Sequence, residues 1–308
     1  MLQKHVDLAL SFGRHFISEG HVADYIPELA KVDKSLSGIC VMTKDGEVFS
    51  AGNVNEYFTI QSISKIINLG IALQTCGYER VFAKVKMEPS GDAFNSIIKL
   101  DTDGHIPFNP MINSGAIVVA SFLQPRFTFE ELLEWTKKLC MDPTLTLDED
   151  VYHSELATGD RNRSIAYLLK SNNVISGNIE EILDLYFKMC SIRVTAKSLA
   201  GLGLILANNG TNPFTGENLL DNRVVMMLKT LMLTCGMYDG SGEFAARVGM
   251  PAKSGVGGGI LSFVNNKAGV GTFGPALDAK GNSIVGMKMM EYLSHELNWH
   301  IFASEPAL

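Results

Sequence analysis

Strand signals in this 308-residue chain fall near its two ends, with about a hundred residues of nearly unbroken helical periodicity between them. Residues 37–43 and 47–52 are short apolar runs around Lys44-Asp45-Gly46, and Asp-Gly between two such runs signals a hairpin. Residues 259–264 and 268–273 read as a second pair of strands around Asn265-Asn266. Between the ends, apolar spacing is helical over 114–122, 128–140, 163–171, 179–190 and 195–208. Helical patterns also cover 3–18, 282–297, and a stretch that starts near Ser62, runs towards Thr75 and stops at Gly77. The simplest assembly is α+β: one antiparallel sheet built from both ends of the chain, flanked by the terminal helices, with an all-helical lobe inserted. The expected division is 1–113 with 215–308 for the sheet domain and 114–214 for the helical domain, the active site lying in the cleft between them. Residues 85–112 are irregular and rich in Gly, Pro, Asn and Asp, too long for an ordinary connection, and read as a functional loop.

Composition narrows the class. A hydrophobic fraction of 46% with 19% charged residues is that of a globular protein. The net charge is −7 with Lys and Arg scattered, which argues against nucleic acid as a partner, because that needs a concentrated basic footprint. Cys40, Cys76, Cys140, Cys190 and Cys235 lie far apart without a Cys-x-x-Cys pair, and read as reduced, mostly buried thiols. The first residues lack the basic start and apolar run of a signal peptide, and no stretch approaches the roughly 18 apolar residues of a membrane span. The expectation is a soluble cytoplasmic protein with no membrane partner.

Ser62-Ile63-Ser64-Lys65 begins the long helical pattern. A Ser and a Lys three apart share a helix face, and the helix start favours a developing alkoxide. A buried lysine whose pKa falls from about 10.4 towards roughly 7–8 can take the hydroxyl proton. The bland alternative makes Ser62 a helix cap and Lys65 a solvated cation; Ser96-Ile97-Ile98-Lys99 has the same spacing and nothing else to recommend it. Lys253-Ser254-Gly255-Val256-Gly257-Gly258-Gly259 precedes a strand signal. Its N–H groups suit an oxyanion hole, or the run is a flexible turn before an edge strand. Gly269-Val270-Gly271-Thr272-Phe273-Gly274 fits a dinucleotide fingerprint, but Pro275 follows and no helix begins there. Gly249 to Ser254 lacks the Gly that precedes a P-loop lysine. The seven histidines show no metal spacing; His295 and His300 read as different faces of one helix. No metal and no cofactor are expected. Glu180-Glu181 reads as a solvated helix start, and the Met-rich segments 225–237 and 287–290 as core filler.

Several motifs then follow in order: Ala23-Asp24-Tyr25-Ile26-Pro27, Gln61-Ser62-Ile63-Ser64-Lys65, Asn109 to Ala116, Ser154-Glu155 to Gly159-Asp160-Arg161-Asn162, Tyr186 in Leu-Tyr-Phe, Cys235-Gly236-Met237-Tyr238, and Pro251 to Ile260. From about 23 to 300 the series resembles the serine-dependent glutaminase family in its compact bacterial form. The resemblance implies a β-lactamase/transpeptidase-like fold. It implies Ser62 as nucleophile, Lys65 as its base partner, Tyr238 as a proton relay to departing ammonia, and the Val256 backbone N–H as an oxyanion donor beside that of Ser62. It also implies Glu155 for the α-ammonium of L-glutamine, with Tyr25, Asn113, Asn162 and Tyr186 as further polar contacts, and a homo-oligomer, dimer or tetramer. Whether Lys65 or Tyr238 takes the first proton stays open. The residue types fit a zwitterion with a neutral amide at its far end. Two rivals stand beside this reading. One is a penicillin-recognising acylase using Ser62–Lys65, Ser171-Asn172-Asn173 and Lys253-Ser254-Gly255; the other is a glutamine sensor without turnover.

Overall fold

A computed structural model describes residues 1–90 and 105–303. Its main sheet has five antiparallel strands in the order β2-β1-β8-β7-β6. Strands β1 (Gly38–Thr43) and β2 (Val48–Gly52) form the N-terminal hairpin, with Gly46 at φ +92° in its turn. Strands β7 (Gly259–Val264) and β8 (Ala268–Phe273) form the C-terminal one, turning at Asn266 with φ +57°. β1 pairs with β8 from Gly38↔Phe273 to Thr43↔Ala268, so the two ends of the chain close one sheet.

The fifth strand, β6 (Ala252–Ser254), corrects the expectation for the glycine run. Lys253 and Ser254 form the edge strand itself, and 255–258 is its tight connection to the interior strand β7. A second correction concerns the helical block. β3 (Phe58–Thr59), β4 (Thr146–Leu147) and β5 (Ile192–Val194) form a separate antiparallel sheet, β3-β5-β4, two strands of which interrupt that block. Strands this short carry no readable period, so only pairing partners distant in sequence make them strands.

Helix α1 (Leu2–Arg14) is shorter than 3–18 because a separate 3₁₀ turn, Ile17–Glu19, follows it. α2 (Ser64–Cys76) ends at Gly77 with φ +84°, and α3 (Tyr78–Phe82) follows. The block then contains α4 (Asn113–Leu123), α5 (Phe129–Cys140), α6 (Glu149–Thr158), α7 (Asp160–Ser171), α8 (Ile179–Cys190) and α9 (Ala196–Ala207). Thr128 and Glu131 start α5 with a capping box. α6 was not expected: its apolar spacing is weak, and Asp148 caps it through the Val151 N–H. The chain ends with α10 (Asn222–Cys235), α11 (Ser241–Arg247) and α12 (Ile284–Leu297). Since α12 stops at Leu297, His300 lies beyond the helix and shares no helix face with His295.

Alternation along β1 sorts the core. Ile39 and Val41 face α1 and α12, whereas Cys40 and Met42 join the large core that runs through α2, α9 and the helical block. α9 lies directly on β8, and glycines permit it: a Cβ on Gly269 would stand 2.0 Å from the Ala200 carbonyl oxygen, and one on Gly271 2.1 Å from that of Ala196. The Gly-x-Gly pattern is therefore a helix–sheet contact. All five cysteines are free thiols. Among the described residues no helix is long and apolar enough to cross a membrane. Half of 85–112, including Ser96 and Lys99, lies outside the described residues; 85–90 and 105–112 form no helix or strand.

Candidate active site

Ser62 sits in a 3₁₀ turn, Gln61–Ile63, that runs straight into α2. It therefore lies two residues ahead of the α-helix and caps nothing: among the described residues no side chain caps α2, whose N-cap position is Ile63. Lys65 is in the first turn of α2, 2% exposed, so the solvated-cation alternative fails. Its Nζ donates to the Met111 carbonyl at 3.2 Å and to Asn113 Oδ1 at 2.8 Å. Burial without a carboxylate in hydrogen-bond contact lowers its pKa to about 8.

The Tyr238 hydroxyl lies beside the Ser62 side chain. Tyr238 opens a 3₁₀ turn, Tyr238–Gly240, after α10, and its hydroxyl also donates to the Ser254 carbonyl at 3.3 Å. Burial raises its pKa above the usual phenol range, so it stays protonated. Gln61 and Tyr238 both hold left-handed backbone, at φ +50° and +53°. Such conformations cost on the order of 1–3 kcal/mol each and persist where surrounding contacts impose them.

The connection after β6 presses against the turn that carries Ser62. A Cβ on Gly255 would lie 2.8 Å from the Ile60 carbonyl oxygen, and one on Gly257 2.4 Å from that of Thr59. Val256 is held between them. Among the described residues neither the Ser62 nor the Val256 N–H donates to a backbone carbonyl. Two such donors beside a nucleophile are what an oxyanion needs.

The helical block supplies the other end of the cavity. Tyr25, Ser62, Asn113, Glu155, Asn162 and Tyr186 line one cavity of about 90 Å³. Glu155 on α6 is 6% exposed and accepts from Gln61 Nε2 at 2.8 Å. Burial outweighs that bond and the nearby Lys65 charge, and raises its pKa to about 7. Asn113, the first residue of α4, accepts from Lys65 and donates to Asn162 Oδ1 at 3.1 Å, which fixes the orientation of its amide. Tyr25 stands at the mouth, half exposed. Val256 and Tyr238 do not line this cavity; they pack with Ala23 and Leu277 beside it.

Three neighbours had no role in the glutaminase reading of the sequence. Gln61 links Glu155 to Thr59. Cys190, at the end of α8, lines the cavity with its thiol raised to about 12 by burial. Lys253 is fully buried, donates to the Ser254 carbonyl at 2.7 Å, and lies 4.6 Å from the Tyr238 ring centroid. Burial and then the Lys65 charge push its pKa well below the usual lysine value. The Lys253-Ser254-Gly255 motif was the available signal. Ser171-Asn172-Asn173 instead finishes α7 away from the cavity lining, with Asn172 bonded back to Leu168. Among the described residues no His, Cys, Asp and Glu cluster is arranged to hold a metal.

An antiparallel sheet with helices on both faces, and Ser-x-x-Lys at the start of the helix beside its edge strand, is the fold of the β-lactamase-like serine hydrolases. A family model described as Glutaminase matches residues 20–302. "Glutaminase 2" of Clostridium perfringens (strain 13 / Type A) is 51% identical over 293 residues, covering 94% of this chain and 96% of the relative. A solved probable glutaminase superposes with TM-score 0.93 at 37% identity, over 98% of each chain. So does a Bacillus subtilis glutaminase in covalent complex with 5-oxo-L-norleucine, formed by reaction with 6-diazo-5-oxo-L-norleucine: TM-score 0.88, 38% identity, 98% of this chain and all of that one. The chain belongs to the glutaminase family.

Proposed function

We propose that this glutaminase hydrolyses the side-chain amide of L-glutamine to L-glutamate and ammonia through a γ-glutamyl ester on Ser62. One observation carries the reading: a buried Ser62 next to a protonated Tyr238 and a buried Lys65 with a depressed pKa shares a cavity with the buried carboxylate of Glu155. Lys65, neutral in a sizeable fraction near pH 8, is the base that draws the proton from Ser62. Tyr238 is too weak an acid to be that base, and serves as the hydroxyl through which the proton reaches departing ammonia. The N–H groups of Ser62 and Val256 hold the oxyanion. Glu155 receives the α-ammonium, and Tyr25, Asn113, Asn162 and Tyr186 complete the amino-acid contacts. The covalent complex of the Bacillus relative, formed with a diazoketone of glutamine-like length, supports an attacking side chain in such a site.

Residues 1–113 with 215–308 form the sheet lobe in this reading and 114–214 the helical lobe, with glutamine held between them. The enzyme works in the cytoplasm as a homo-oligomer, dimer or tetramer, without metal or cofactor. Ammonia release from L-glutamine, compared with Ser62→Ala, tests the core of the proposal: release should vanish in the variant while its circular dichroism stays native. Release that persists in Ser62→Ala defeats it.

A further inference from the structure

A second cleft, of about 190 Å³, shares none of the residues that line the amino-acid cavity, but two of its wall residues stand next to Ser62 and Lys65. Tyr238, which stands beside Ser62, forms part of its wall, and so does Met111, whose carbonyl accepts from Lys65 Nζ. The remaining wall mixes polar residues, Asn109, Thr234, Asp239 and Ser241 among them, with apolar ones such as Ile112 and Cys235. Asp239 and Thr234 are exposed, so the cleft opens to solvent.

The chemistry of Ser62 has a place for such a cleft. In the tetrahedral intermediate the reacting carbon carries four substituents. One is Ser62 Oγ, one is the oxyanion against the Ser62 and Val256 N–H groups, and one is the glutamyl chain, which runs into the Glu155 cavity. The fourth is the leaving nitrogen, and the proton it needs comes through Tyr238. It therefore faces Tyr238, on the side where the second cleft begins. By microscopic reversibility, the nucleophile that opens the ester enters from the same direction.

We propose that the cleft bounded by Tyr238, Met111, Asn109 and Thr234 is the port through which ammonia leaves and water, or a small neutral amine, reaches the γ-glutamyl enzyme. The proposal rests on the Ser62 reading above. With water, the new C–O bond replaces the C–Oγ bond, and a water proton returns to Ser62 through Tyr238. With hydroxylamine, a C–N bond replaces C–Oγ, an N–H proton returns to Ser62, and the product is the γ-hydroxamate. A small cleft discriminates between nucleophiles by size, while the acyl group stays the same.

Gly242 lines the cleft on α11, and a Cβ there meets nothing within 4 Å, so a side chain can start there without moving the backbone. The test measures how the acyl-enzyme partitions between hydroxylamine and water, as the ratio of γ-glutamyl hydroxamate to glutamate. In Gly242→Phe the ratio should fall roughly tenfold, a steric discrimination of ordinary size, with KM for glutamine unchanged and Gly242→Ala like wild type. Thr234→Met, at an exposed position, should lower the ratio in the same direction and guards against a Gly242→Phe protein that fails to fold. A ratio unmoved in both variants, in an enzyme that Ser62→Ala inactivates, removes the proposal alone. So does a raised KM with an unchanged ratio. Ammonia release that survives Ser62→Ala removes the Ser62 reading and this proposal with it.

Discussion

Lys65 and Glu155 are both buried charged residues, and burial moves their pKa values towards each other, to about 8 and about 7. The two shifts separate into different kinetic constants. Lys65 must be neutral to act as base, so kcat should climb as pH rises through about 8 and flatten above it. Glu155 must be ionised to hold an ammonium, so KM should increase as pH falls below about 7. In Glu155→Gln the acid limb of KM should disappear while the limb in kcat near 8 remains. At pH 8 that variant should show a KM raised roughly 10–10²-fold, the loss of a charge-assisted hydrogen bond of about 1.5–3 kcal/mol. Steady-state kinetics from pH 6 to 9 decide this, and an unchanged KM in Glu155→Gln means the ammonium binds elsewhere. Ser62 and Lys65 were legible as a pair because three-residue spacing on a helix is a local property. Gln61 was not: its importance lies in a left-handed turn and a bond to Glu155, 94 residues away.

Among the elements, the connection from β6 to β7 is the most exacting. Gly257 brings Val256 against the Ser62 turn, and a methyl group there would meet the Thr59 carbonyl oxygen at 2.4 Å. Gly257→Ala should shift the Val256 N–H and lower kcat by as much as the roughly 10²–10³ expected for one lost oxyanion donor, with a smaller change in KM. A kcat within twofold of wild type would deny Val256 its role. Gly269 in β8 offers a contrast, since it touches α9 and not the site. Gly269→Ala should destabilise the fold by about 1–3 kcal/mol, as overpacking does, seen as a lower Tm with near-normal KM in the surviving protein. Hairpin signals and long amphipathic helices were readable because each has a period and a turn chemistry of its own. The sheet β3-β5-β4 and the edge strand β6 were not, because two or three residues become a strand only beside a partner.

Across the whole molecule, the cavity draws Ser62 from the turn before α2, Tyr25 from the N-terminal segment, and Glu155, Asn162 and Tyr186 from three helices of the inserted block. A ligand that touches all of them joins the N-terminal segment and the Ser62 turn to the helical block. Glutamine should therefore raise the Tm of Ser62→Ala, which binds without turning over; at a hundred times Kd the gain is about 2.7 kcal/mol. Thermal unfolding with and without glutamine measures it, and a Tm indifferent to glutamine would detach Ser62 from the binding cavity. By itself the sequence determined the strand-rich ends, the helical middle, the Ser62–Lys65 pair and, through ordered motifs, the family. Each of these is written in local spacing or in residue identity. Only the tertiary structure decided that Lys65 is buried and, among the described residues, bonded to Met111 and Asn113 with no carboxylate, that Tyr238 stands beside Ser62, and that Gly255 and Gly257 carry Val256 to the Ser62 turn. Burial, pKa and close backbone approach depend on which distant segments meet, and no spacing along one chain encodes that directly.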